Sequence, residues 1–311
     1  MAAIICGSLA FDTIMTFEGR FADQILPDQL HILNVSFLVP ALRRDFGGCA
    51  GNIAYALKLL GGTPLPMATV GNDGADYLER LRTLGISCEY VRQVADTYTA
   101  QAMIMTDRDN NQITAFHPGA MMQAHQTRIE ARPDVRLGII SPDGRDAMLE
   151  HAAQFKAAGI PFVFDPGQGL PMFDGEALRG FIATATAVAV NDYEASLLVE
   201  RTGWSEPQIA ERVQALIVTR GAEGSRVYEP GRMTEVAPAA ISRAVDPTGC
   251  GDAYRGGLLY ALANGASWVD AARLGSVMGA IKIEHQGAQN HRVDRDEVAR
   301  RFAQAYGRAP W

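Results

Sequence analysis

Six short apolar runs, AAIICG (2–7), PLPMATVG (64–71), RLGIISPDG (136–144), PFVFDPG (161–167), AVAVNDYE (187–194) and ALIVTRG (215–221), each give way within a few residues to glycine, aspartate or asparagine. Runs this short with so little alternation suit strands buried on both faces, each handing over to a loop at its carboxyl end. Between them lie stretches with helical spacing, NIAYALKLLG (52–61), ADYLERLRTLG (75–85) and RDAMLEHAAQFKAAG (145–159), closed by the glycine that commonly ends a helix. Strand and helix in alternation predict an α/β fold: a doubly wound, mostly parallel sheet flanked by helices, with ligands beyond the strand carboxyl ends.

Two segments depart from this alternation. YTAQAMIMT (98–106), the polar turn DRDNN (107–111) and QITAF (112–116) read as a β-hairpin, and residues 14–46 alternate apolar and polar without helix signals. Together they predict a small β lid, about 13–46 and 97–118, over the sheet edge. No repeat or linker divides the 311 residues, so the lid is expected as an insertion in a single domain, 1–311.

Twenty-eight Lys and Arg against 35 Asp and Glu give a net charge of −7, with no basic run. That balance excludes a nucleic-acid backbone as the expected partner. The four cysteines, Cys6, Cys49, Cys88 and Cys250, are dispersed with no CxxC pair, which points to neither a zinc site nor a disulfide framework and suits a reducing cytoplasm. The opening MAAIICGSLAFD has neither signal-peptide organisation nor the length of a membrane span, and a cytoplasmic protein is expected.

The chemistry concentrates in DPTGCGDAY (246–254). Gly249, Cys250 and Gly251 carry little side chain and precede a helix, so their amides form a candidate anion hole, and Asp252 falls in the first helical turn as a candidate base. An acid and glycine before a helix are also an ordinary cap. The chain has no Gly-Lys pair, hence no Walker P-loop, and no G-x-G-x-x-G dinucleotide fingerprint at this loop.

DPTGCGDAY resembles the C-terminal signature of the PfkB/ribokinase family of carbohydrate and nucleoside kinases, and FGGCAGNIA (46–54) resembles its N-terminal G-G-x-x-x-N signature. NDYE (191–194), VTRGAEGS (218–225) and GSLAFD (7–12) are similar to further family segments in the same order, so the resemblance covers nearly the whole chain. It implies a ribokinase-like fold with a β lid and phosphoryl transfer from ATP to a hydroxyl. By this resemblance Asp252 is the base and Gly249, Cys250 and Gly251 supply the anion hole. Asp12, Gly48 and Asn52 bind the sugar, while Asn191, Thr219, Gly221 and Gly224 line the nucleotide. Glu194 supports Mg²⁺ through water, and Asp246 and Thr248 are candidates for a monovalent cation such as K⁺. Taken singly, Asn191 also reads as a helix cap and Thr219, Gly221 and Gly224 as a turn.

Cys250 stands where the family usually has Ala, which places a thiol at a helix N-terminus, where its pKa is expected to fall and oxidation to inhibit. Arg108 and Arg44 are the candidates for a lid arginine reaching the transferred phosphate. QITAFHPGAMM (112–122) ends the hairpin with Phe116, His117, Pro118 and a Met pair, better suited to covering a flat base than a small polar sugar, and it resembles the matching segment of the family's bacterial adenosine kinases. Adenosine, phosphorylated to AMP in purine salvage, is therefore the expected substrate, with a ribokinase- or fructokinase-like sugar kinase second and a non-catalytic nucleoside- or sugar-binding protein as the alternative of another class. The expected partners are small molecules and ATP, with no membrane, and the protein is expected to be a monomer or homodimer.

Overall fold

The computed structural model describes residues 1–25, 31–32 and 34–311. The first half of the chain runs β1 (Ala2–Cys6), β2 (Ala10–Thr16), α1 (Phe21–Gln24), β3 (Ala41–Gly47), α2 (Cys49–Leu59), β4 (Thr63–Val70), α3 (Ala75–Thr83), β5 (Val91–Gln93), β6 (Ala100–Thr106), β7 (Gln112–His117) and β8 (Val135–Ile140). There follow α4 (Arg145–Ala158), β9 (Phe162–Phe164), α5 (Gly175–Thr184), β10 (Ala187–Asn191), α6 (Asp192–Thr202), α7 (Glu206–Ala210), β11 (Ala215–Thr219), β12 (Ser225–Glu229), β13 (Arg232–Val236), α8 (Cys250–Ala263), α9 (Trp268–Ile283) and α10 (Arg295–Tyr306).

The large sheet has the order β13-β12-β11-β10-β9-β8-β1-β4-β5, parallel from β11 to β5 and antiparallel only at β12 and β13. The six apolar runs are β1, β4, β8, β9, β10 and β11, and the sequence and structure agree on a mostly parallel doubly wound sheet. Burial on both faces explains why those runs lack alternation. In β1, Ala3 and Ile5 enter the core beneath α2, α8, α9 and α10, while Ala2, Ile4 and Cys6 enter the opposite core beneath α4, α5, α6 and α7. The chain progresses outward from β1 through β4 to β5, then returns to β8 on the other side of β1. This reversal leaves a crevice above the carboxyl ends of β1 and β8, where an open α/β sheet binds its ligands.

A second sheet has the order β3-β2-β6-β7, with β2 and β6 parallel and the outer pairs antiparallel. It is the expected hairpin joined by strands from the 14–46 region, and begins earlier, at Ala10. Because β2 follows β1 after three residues, this sheet rises from the carboxyl end of a central strand, not from the sheet edge. Of the expected lid span, residues 26–30 and 33 lie outside the described residues. The β12–β13 hairpin went unanticipated, although Pro230-Gly231 between alternating residues is its sequence signal. Among the described residues no helix is long and apolar enough to cross a membrane.

Candidate active site

The loop 246–249 is held before α8 by its own acid. The Asp246 carboxylate accepts the Thr248 amide at 2.9 Å and the Gly287 amide at 2.8 Å. Burial works against its ionisation, but these two bonds hold it below the usual carboxylate range. Gly249 caps α8 with φ 76°, and a Cβ there would lie 2.8 Å from the Ala288 methyl, so glycine is required twice over. The Cys250 amide donates to the Pro247 carbonyl and that of Ala253 to Gly249. The amides of Gly249, Gly251 and Asp252 are left without partners among the described residues. Of the three amides expected to form an anion hole, that of Cys250 is thus committed within the loop.

Asp252 is half-buried in the first turn of α8. Burial pushes its carboxyl up to about 6, opposed by a 2.8 Å bond from the Asn52 Nδ2 and reinforced by the charge of Asp165. A base whose pKa lies this near neutrality is mostly ionised at pH 7 yet retains affinity for a proton. Asn52 comes from the first turn of α2, which starts at Cys49, three residues earlier than the spacing suggested. Its Oδ1 accepts from Gln289 Nε2 at 3.0 Å, and the same nitrogen donates to Tyr77 OH at 2.8 Å, which donates to the Gly47 carbonyl at 2.6 Å. Since the ionised Asp252 carboxylate and Gly47 O can only accept, every group between them has a fixed orientation. Gln289 and Tyr77 were missed in the sequence: Tyr77 reads as part of an apolar helix stripe, and nothing around Gln289 marks it.

The lid contributes a row of side chains in register. Asp45, Asp12, Ala102 and Phe116 are successive partners across β3, β2, β6 and β7, so they share one face of the small sheet. Burial, with the charges of Asp45 and Asp246, raises the Asp12 carboxyl to about 6. Gly47 leaves room for that carboxylate, whose Cγ a Cβ would approach to 2.8 Å, and Gly48, at φ 85°, packs within 2.6 Å of the Ala10 nitrogen by the same construction. Phe116 is 53 % exposed, a large apolar surface open above Asp12's face of the sheet. Neither expected arginine joins it. Arg44 lies over the Phe11 ring at 3.5 Å and pairs with Asp73 at 3.3 Å, and its register with Thr13 puts it on the opposite face. Arg108 sits in the β6–β7 turn, its amide bonded to Gly19 O. Arg43, paired with Asp45 at 2.9 Å, is the arginine on the face of Asp12.

At the next strands Asn191 and Thr219 are register partners at the carboxyl ends of β10 and β11. Asn191 is the cap of α6: its Oδ1 accepts the Glu194 amide at 2.7 Å, while its amide and Nδ2 each bond one oxygen of the Glu194 carboxylate, at 2.8 and 2.9 Å. Burial and then the Asp165 charge raise the Glu194 pKa. Each of its oxygens keeps a lone pair, a donor set that fits one water-mediated contact to a Mg²⁺ arriving with nucleotide phosphates. Gly221 and Gly224 turn the chain after β11 with φ 54° and 82°. Between this side and Asp252 lies a buried ion pair that sequence reading did not single out, Arg255 Nη2 to Asp165 Oδ1 at 3.0 Å, with Ser141 Oγ donating to the other Asp165 oxygen at 3.0 Å.

The Cys250 thiol reverses expectation. Burial pushes it up to about 11 despite the helix N-terminus and Lys282, because the side chain faces its own loop, with Sγ 3.8 Å from the Asp246 carbonyl. With the thiolate that would attack peroxide nearly absent at neutral pH, Cys250→Ala and the wild type are expected to lose activity to peroxide equally slowly. Faster loss in the wild type would restore the oxidation hypothesis.

The pfkB family carbohydrate kinase profile matches residues 17–295. The nucleoside kinase of Methanocaldococcus jannaschii is 31 % identical over 306 residues, 97 % of each chain. The solved nucleoside kinase of Burkholderia thailandensis in complex with inosine is 55 % identical and superposes with a TM-score of 0.89, covering 99 % of both chains. The same Burkholderia protein in complex with ADP-inosine is 56 % identical with a TM-score of 0.87, covering 99 % of this chain and 97 % of that one.

Proposed function

The chain belongs to the pfkB family of carbohydrate kinases, and on that premise we propose that it is an ATP-dependent nucleoside kinase that phosphorylates the 5′-hydroxyl of a purine nucleoside. The observation that carries this reading is the Asp252 carboxylate, fixed by Asn52 beside unpartnered amides at the start of α8. The hydroxyl oxygen attacks the γ-phosphorus, Asp252 takes its proton, and the bond to the bridging oxygen breaks to release ADP. The amides of Gly249, Gly251 and Asp252 hold charge on the transferring group. Glu194 would hold a Mg²⁺ ion through water, and that ion would supply positive charge to the phosphates. Asn191, Thr219, Gly221 and Gly224 shape the nucleotide side. Asp12 accepts from ribose hydroxyls, the second Nδ2 hydrogen of Asn52 reaches the sugar, Gly48 lets the sugar pack on backbone, and Phe116 covers the base.

Adenosine fits the apolar cover at Phe116. Inosine is the second candidate, because the 55 % identical Burkholderia protein is solved with it. Phosphate transfer from ATP across adenosine, inosine, guanosine, cytidine, ribose and fructose tests the reading. A purine nucleoside preferred over free sugars supports it; preference for ribose or fructose overturns the nucleoside assignment, and binding without turnover overturns the kinase.

The proton-accepting role also sets a pH dependence. With the Asp252 carboxyl at about 6, kcat/KM is expected to rise through about pH 6 as the carboxylate forms. The Asn52 bond lowers that pKa, so Asn52→Ala moves the acid limb upward and weakens nucleoside binding. An acid limb unmoved by the substitution, with unchanged nucleoside affinity, refutes both roles of Asn52.

A further inference from the structure

In the loop 246–249, where Asp246 and Thr248 were expected to hold a monovalent cation, the oxygen atoms of Asp246 are already served by donors of the protein itself. Both carboxylate oxygens of Asp246 accept backbone amides. Its carbonyl accepts from Lys282 Nζ at 2.7 Å, and the same ammonium donates to His285 O at 3.1 Å. Lys282 is wholly buried in the last turn of α9. Burial lowers its pKa, and the charge of Asp246 opposes that. The His291 ring is held neutral, its pKa pushed down to about 3 by burial and by the charges of His285 and Lys282. The donors present do not fit an added alkali ion at the Asp246 carbonyl.

We propose that the Lys282 ammonium stands in place of a monovalent cation, fixing the Asp246 carbonyl and placing positive charge behind the anion-binding loop, so that phosphoryl transfer needs no K⁺. A helix C-terminal cap accounts for the bond to His285, which a Lys near the end of α9 makes to its own terminus. It does not account for the shorter bond to a carbonyl 36 residues away, in the loop that presents Gly249 and leads to Asp252. An ammonium held to that carbonyl tethers the loop from behind while the Gly287 amide tethers it through the Asp246 carboxylate. Lys282 is thus a positioning residue, and the role rests on the kinase reading above.

The test is phosphate transfer with Mg²⁺ and ATP at constant ionic strength in choline, sodium or potassium chloride, together with Tm in each salt, for the wild type, Lys282→Met and Lys282→Ala. The wild type is expected to show the same kcat and Tm in all three salts. Lys282→Ala is expected to lose about tenfold to a hundredfold in kcat in choline, with nucleoside KM little changed, and to recover on adding K⁺ or methylammonium. Lys282→Met, whose chain fills the space, is expected to lose kcat without recovery. Stimulation or thermal stabilisation of the wild type by K⁺ overturns the proposal, as does full kcat of Lys282→Met in choline or a folded Lys282→Ala that no cation rescues. If neither variant folds, the wild-type comparison decides. Absence of transfer by the wild type in every salt counts against the kinase reading instead, and the effect of K⁺ on Tm still tests the inference.

Discussion

Asp252→Asn is expected to lower kcat by about 10²–10⁴ while leaving nucleoside affinity near that of the wild type. The amide is nearly the shape of the carboxylate and can still meet Asn52, so the fold and the sugar side have no reason to change. What is lost is an acceptor for the hydroxyl proton as the oxygen becomes a nucleophile. Isothermal titration with adenosine and inosine beside single-turnover kinetics separates the two effects. Near-normal turnover removes Asp252 from the role, and equal loss of binding makes it a structural acid.

Arg255→Met is expected to destabilise the protein by about 3–5 kcal/mol, because it leaves the carboxylate of Asp165 buried without its cation. The pair is 5 % and 7 % exposed, so water offers little replacement. Arg255 also favours the ionised form of Asp252 against the repulsion from Asp165. Removing it raises the Asp252 pKa, and the acid limb of kcat/KM moves to higher pH as stability falls. Urea unfolding and the pH profile of the same variant check both. A stability change under 1 kcal/mol would mean that water or another donor reaches the Asp165 carboxylate in place of Arg255.

The six core strands were legible because burial on both faces demands uninterrupted apolar runs, and β1 shows that demand directly, with alternate residues in two cores. The hairpin of β6 and β7 was legible from its polar turn. The segment before β3 was less so, since an edge strand of a small sheet such as β3 has exposed residues and little pattern. In the candidate site, the turn of Gly249, Cys250 and Gly251 before Asp252 was legible because a tight turn before a helix leaves its mark in consecutive residues. Gln289, Tyr77, Asp165 and Arg255 could not. Each acts through a partner far away in sequence, and a buried amide or ion pair has no periodicity to reveal it. The placement of the lid arginines was hidden for a related reason: adjacent residues in a strand face opposite ways, and only the register of β2 with β3 tells the face of Arg43 from that of Arg44.

The alignment of Asp12 with Phe116 across the small sheet has a kinetic corollary. On the proposed roles, Asp12 at the sugar and Phe116 at the base stand on one sheet, so a single movement of that sheet would release both ends of a nucleoside. Substitutions at Asp12 and at Phe116 therefore act on the same opening step, and their effects on residence time are coupled even though the two side chains do not touch.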